Sequence, residues 1–179
     1  PQTNGDLSQN QTLALRAIDL ATAANCPRVA VTSTSAVYGS PCEPGAMAES
    51  HPLQPVNDYG HSKVRMEQAV WARCTRDAKG PSVVILRLSN VIGCDMLGAA
   101  ARQATTEKPV VLDRFDGSRG AIRSYLGPET LWDALLALAS AALPRQSVFN
   151  MANGSAGVEM SAILEELQAA GAGVPWVWS

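Results

Sequence analysis

Val83-Val84-Ile85-Leu86-Arg87-Leu88 is a nearly continuous run of β-forming residues interrupted by a single charge. It is too short for a buried helix and is apolar on both alternating faces, so it reads as a strand inside a parallel sheet. Upstream, Arg28-Val29-Ala30-Val31-Thr32 repeats the pattern and is expected to be covered on both faces in the same way. A helical pattern precedes each run. Leu13, Ala17, Ile18, Ala21 and Ala24 recur at helical spacing after the polar segment from Asn4 to Asn10, and Asn25-Cys26-Pro27 supplies a stop. Before the second run, Asp58 is positioned to cap a helix. Its apolar Val64, Ala69, Val70 and Ala72 are framed by Lys63, Arg65, Glu67, Arg73 and Arg76, and Gly80-Pro81 ends it. Two helix-then-strand units in tandem predict an α/β fold, a parallel sheet flanked by helices with ligand contacts at the carboxyl ends of its strands.

Beyond that frame the pattern loosens. Residues 39–56 hold Gly39, Pro41, Pro44, Gly45, Pro52 and Pro55, a long irregular segment of the kind that carries function in a compact domain. Helices are expected over Met96–Thr106, Leu131–Leu143 and Met160–Ala170, strands over Val110–Leu112 and Val148–Met151, and a turn at Asp116–Arg119. The apolar end Val174-Pro175-Trp176-Val177-Trp178 would normally lead into more structure.

At 179 residues, 46% apolar and 17% charged, the chain is long enough for one folding unit with a packed core, and its composition excludes collagen-like, coiled-coil and disordered classes. A formal charge of -2 leaves no excess of cations for a phosphate backbone or an anionic bilayer, so neither a nucleic acid nor a membrane is expected as a partner. No secretory pattern is read in residues 1–20, and the longest apolar stretch, Ala134 to Leu143, falls well short of the ~20 residues of a membrane span. Cys26, Cys42, Cys74 and Cys94 form no CxxC pair, and His51 and His61 are not at ligand spacing from them. Reduced thiols in a cytoplasmic protein without a metal site are the expectation.

The residues with chemistry gather at the predicted strand ends. Ser33-Thr34 follows the first strand, Asn90 the second, and Tyr59 with Lys63 opens the helix between them. Residues four apart on a helix share a face, so the phenol and the amine can address one small volume. A tyrosine, with an ordinary pKa of about 10, is a poor base; an ammonium and a hydroxyl such as that of Thr34 would each favour its ionised form. On its own such a pair is more often solvated surface than catalytic machinery. Company changes that: Thr32-Ser33-Thr34-Ser35-Ala36-Val37-Tyr38-Gly39 sits at one strand end, 25 residues separate Thr34 from Tyr59, and Arg87-Leu88-Ser89-Asn90-Val91-Ile92-Gly93 closes the other.

These segments, STSAVYG at 33–39, YGHSK at 59–63, LRLSNVIG at 86–93, RSYLGPETL at 123–131 and FNMANG at 149–154, resemble the extended short-chain dehydrogenases and reductases. This is the NAD-dependent epimerase/dehydratase group to which UDP-galactose 4-epimerase belongs. The resemblance runs from about Asn10 to Ala170 in the family's order. It implies a partial Rossmann-like parallel sheet flanked by helices, with part of a small substrate-binding region. Residues 1–179 would form one partial domain: about 1–93 the C-terminal half of the dinucleotide-binding fold, and about 94–179 the substrate region interleaved with a returning core segment. It further implies Thr34, Tyr59 and Lys63 as the catalytic set. Asn10, Thr32, Ser33, Ser89, Tyr59 and Lys63 would meet NAD or NADP, and Thr34, Asn90 and Arg123 the substrate, a nucleotide sugar whose diphosphate a guanidinium suits. Intact members are expected to form homodimers through a two-helix face to which residues 58–76 contribute.

The departures from the family pattern are informative. Ser124, Gly127 and Thr130 replace the family's usual residues after its arginine, and the stretch from Gly93 to Gly98 is short, so the substrate side has diverged. Ser35 and Ala36 stand where 4,6-dehydratases carry an acid, which favours epimerisation or carbonyl reduction over dehydration. No G-x-x-G-x-x-G occurs, so the chain is expected to be a truncated form lacking the pyrophosphate-binding turn, with a bare sheet edge and poor solubility or oligomers. A non-catalytic remnant that binds a ligand or partner is the alternative to an enzyme, and a ketoreductase the alternative to an epimerase.

Overall fold

A computed structural model describes residues 6–40, 46–115, 120–154 and 157–179. The turn expected at Asp116–Arg119 and the thiol of Cys42 lie outside them. In chain order the elements are α1 (Gln9–Ala23), β1 (Arg28–Thr34), a 3₁₀ turn (Ser35–Tyr38), α2 (Asp58–Arg76), β2 (Ser82–Leu88), β3 (Asn90–Val91) and α3 (Met96–Gln103). Then follow β4 (Val110–Leu112), β5 (Ile122–Arg123), β6 (Tyr125–Leu126), α4 (Pro128–Ser140), β7 (Gln146–Met151), β8 (Val158–Glu159), α5 (Met160–Ala169) and β9 (Trp176–Trp178). Two compact units result, Pro1–Leu88 with Leu135–Met151, and Ser89–Ala134 with Ala152–Ser179.

The first unit is the parallel sheet foreseen from its strands, in the order β1-β2-β7. β2 is central, and Val83, Val84, Ile85 and Leu86 are fully buried. Each such side chain contributes about 1.5–3 kcal/mol of transfer free energy. Ala14 and Ile18 of α1 and Met66, Val70 and Cys74 of α2 pack on Val31, Val83 and Ile85, the alternate residues of one sheet face. β1 differs from its expectation: Ala30 and Thr32 on the other face are exposed, and β1 pairs with β2 alone among the described strands. The cap of α2 is also displaced by one residue. Asn57, in extended conformation, accepts the Gly60 N–H on Oδ1 at 2.8 Å, while Asp58 becomes the first helical residue, where its charge suits the helix dipole.

The second unit contains small two-stranded pairings, β3 with β6, β4 with β9 and β5 with β8, of which only β4 was legible in advance. Two- and three-residue strands carry too few alternations to register as a pattern. The C-terminal tryptophans turn out to form β9, in parallel register with β4, and their rings meet edge to face at 5.3 Å. Leu97, Val110, Leu112, Leu164 and Val174 make its core. α4 starts at Pro128, three residues before the expected Leu131, since proline suits the first helical turn. Among the described residues no helix is long and apolar enough to cross a membrane. Cys26, Cys74 and Cys94 are free thiols.

Candidate active site

β1 ends at Thr34, and the chain turns at once into the 3₁₀ element, the Ala36 N–H donating to Thr34 Oγ1 at 3.2 Å. Gly39 closes that turn with φ +76°, in the left-handed region that glycine tolerates. After the irregular segment α2 begins beside the same turn. A Cβ on Gly60 would stand 2.7 Å from both the Ala36 carbonyl oxygen and Pro55 Cβ, so the glycine is what lets the first turn of α2 close on the end of β1. That approach seats Tyr59 next to Thr34.

The Thr34 hydroxyl stands near enough to the Tyr59 phenol to favour its ionised form. Lys63, one turn further on, lies with Nζ 5.9 Å from the centre of the Tyr59 ring and donates to the Thr32 carbonyl at 3.1 Å. The electrostatics depart from the expectation of an ionised phenol. Partial burial pushes the Tyr59 pKa above 10.0, and the opposing Thr34 hydroxyl does not offset it. Burial also lowers the Lys63 pKa from 10.5, against the upward pull of the Glu67 carboxylate. In the chain alone, then, the phenol is held as an acid, with an amine over its ring rather than bonded to its oxygen. The residue remains 42% exposed.

The other expected residues divide. Thr32 joins the cluster through its backbone, while the hydroxyl of Ser33 is turned inward and donates to Glu67 Oε1 at 2.5 Å. Asn10 donates to Ser62 Oγ at 3.0 Å, and Ser62 donates to the Tyr59 carbonyl at 3.0 Å, an indirect tie from α1 to the tyrosine. Ser89, directly after β2, has a buried Oγ with no hydrogen-bond partner. Asn90 and Arg123 belong to the second unit: Asn90 Nδ2 donates to the Ser124 carbonyl at 3.1 Å, and the exposed Arg123 donates to the carbonyl of Ile122 at 3.1 Å. No cluster of metal-ligating side chains occurs among the described residues.

Sequence reasoning missed Glu67, which it placed among the charges framing α2. The residue is buried, and its carboxylate pairs with Arg87 at 2.8 Å. The available signal was Arg87 itself, a lone cation inside an apolar strand, which requires a buried anion nearby.

Comparison with known proteins agrees with this architecture. Residues 2–152 match the sequence profile of the NAD dependent epimerase/dehydratase family. The chain belongs to that family, one of NAD-dependent enzymes. Over 82 residues it is 43% identical to UDP-glucose 4-epimerase of Azospirillum brasilense, a match covering 46% of this chain and 22% of that protein. The UDP-glucose 4-epimerase of Lacticaseibacillus casei is 32% identical over 102 residues, covering 55% of this chain and 30% of the relative. Among solved structures, MoeE5 in complex with UDP-glucuronic acid and NAD superposes with a TM-score of 0.77 over 95% of this chain and 57% of MoeE5, at 24% identity. The likeness to MoeE5 is one of fold, a Rossmann-like parallel sheet flanked by helices. The chain thus spans under a third of the curated relatives and somewhat over half of the solved one.

Proposed function

We propose that this family member supplies the proton-transfer machinery of an NAD(P)-dependent 4-epimerase acting on a nucleotide sugar, with Tyr59 as acid/base, Thr34 as its hydrogen-bond partner and Lys63 as the cation beside it. The observation that carries the reading is the Lys63 amine, bonded to the Thr32 carbonyl at 3.1 Å and 5.9 Å from the centre of the Tyr59 ring, beside Thr34 at the carboxyl end of a parallel strand where ligands of such sheets bind. A bound nicotinamide supplies a reversible hydride acceptor. The donor set suits its ribose: Lys63 and Tyr59 offer an amine and a phenol.

Tyr59 takes a proton from a sugar hydroxyl at its Oη, or returns one, as the adjacent carbon changes oxidation state. Thr34 donates to that oxygen and stabilises the form with the proton removed. Bringing cationic charge near the phenol lowers its pKa from the raised setting of the chain alone, which ties proton removal to ligand binding. Ser35 and Ala36 place no carboxylate beside Thr34, which favours epimerisation over elimination of water. Asn90 and Arg123 are assigned to the substrate, Arg123 to its diphosphate. Assembly as a homodimer through the α1 and α2 helices is part of the reading, and α1 leaves Leu13 and Leu20 exposed.

Incubating a full-length version that carries a Gly-rich cofactor turn with NAD and UDP-glucose separates the alternatives. The expected result is UDP-galactose without net accumulation of reduced cofactor, since an epimerase returns the hydride. Stoichiometric reduced cofactor would replace the reading with a reductase, and neither product with a non-catalytic binding module.

A further inference from the structure

Three successive residues of β1 each engage a residue of α2. The Thr32 carbonyl accepts from Lys63 at 3.1 Å, the Ser33 hydroxyl donates to Glu67 at 2.5 Å, and the Thr34 hydroxyl lies near the Tyr59 phenol. Positions 59, 63 and 67 lie on one helical face at successive turns, so strand and helix mesh in a fixed register. The three contacts are unequal. Glu67 is 1% exposed, and besides Ser33 its carboxylate accepts from Arg87 through Nε at 3.2 Å and Nη2 at 2.8 Å.

Arg87, 5% exposed, extends the network. Its Nη1 donates to the Tyr38 hydroxyl at 2.7 Å and to the Glu49 carbonyl at 3.0 Å. Tyr38 donates to Asn150 Oδ1 at 2.7 Å; Asn150 donates from Nδ2 to the Met47 carbonyl at 2.7 Å and from its backbone N–H to the Glu49 carboxylate at 2.8 Å. One buried charge pair therefore links β1, β2, β7, α2 and the irregular segment between Thr34 and Tyr59. Stability alone is a weak reason for it, because well-packed apolar residues commonly replace buried ion pairs without loss.

We propose that Glu67, clamped by Arg87, is a positioning residue that fixes α2 against β1 and thereby holds the Lys63 amine on the Thr32 carbonyl and keeps Tyr59 beside Thr34. This rests on the reading of Tyr59 and Lys63 as the proton-transfer machinery. The groups facing Lys63 are few: Tyr59 and Glu67 on its own helix, the uncharged Thr32 carbonyl on β1, and Arg87 of β2 behind Glu67. The Glu67 carboxylate also supports the ammonium against burial.

The chain has three lysines, Lys63, Lys79 and Lys108, so NMR of isotope-labelled lysine can follow each amine through a pH titration, the latter two serving as internal references. In Glu67→Gln the Lys63 midpoint is expected to fall by about one unit with the references unmoved, and Glu67→Asp to recover part of that fall. Because Glu67→Gln strands a buried guanidinium and can unfold the chain, Glu67→Met/Arg87→Met provides a neutral packed alternative. There the expected results are a folded chain, a lowered Lys63 midpoint and a kcat reduced at least tenfold with KM within twofold. A folded double variant with unchanged Lys63 titration and kcat would overturn the proposal. The lysine titration needs no turnover, so it reports the pairing of Glu67 with Lys63 even where the epimerase reading fails, while the split between kcat and KM tests the positioning.

Discussion

Lys63 and Glu67 stand one turn apart on α2 and face the same strand, yet they are held in opposite ways. The Lys63 amine is half-buried, with a backbone carbonyl as its hydrogen-bond acceptor; the Glu67 carboxylate is buried and accepts from two side chains on two strands. On the proposed reading, the turn that would carry the chemistry is left accessible and loosely bonded, and the turn beyond it is locked. A site built this way keeps its reacting groups free to meet ligand while their positions are set by a rigid neighbour.

The strongest way to break the comparison is to remove a partner from each turn. Arg87→Met leaves the Glu67 charge buried without its cation and is expected to cost about 3–5 kcal/mol in a denaturant melt. Next comes the hinge between the two regions and β1: Gly60→Ala sets a methyl 2.7 Å from the Ala36 carbonyl oxygen and Pro55, which should cost about 1–3 kcal/mol and reduce turnover by displacing Tyr59 from Thr34. Lys63→Met, losing one hydrogen bond at a partly solvated position, should cost less than about 1 kcal/mol while abolishing activity. Equal stability losses in Arg87→Met and Lys63→Met would erase the distinction between lock and site.

The parallel sheet was legible because β2 is apolar on both faces and each strand follows a helix with clear stops, signals that survive without tertiary context. β1 was read as fully covered because Val29, Ala30 and Val31 are all apolar; which face lies open depends on neighbours that a local pattern does not encode. The proximity of Tyr59 and Lys63 was legible through spacing, since the two share a helical face whatever the rest of the chain does. Glu67 was not, because a glutamate amid Lys63, Arg65 and Arg73 has the signature of a solvated face, and only its pairing across 20 residues with Arg87 in β2 sets it apart. The Tyr59 pKa was misjudged for a similar reason. Proximity of an ammonium can be inferred from helix geometry, but whether it reaches the phenol oxygen, and how far burial opposes it, depends on the packed surroundings.

Turnover of Tyr59→Phe beside the parent chain, with NAD and UDP-glucose, bears most directly on whether one phenol moves the proton. Loss of its hydroxyl should slow the reaction at least ~100-fold, the scale of a general acid/base contribution, with the fold and the Lys63 titration retained. Phenylalanine turning over at the parent rate would contradict it.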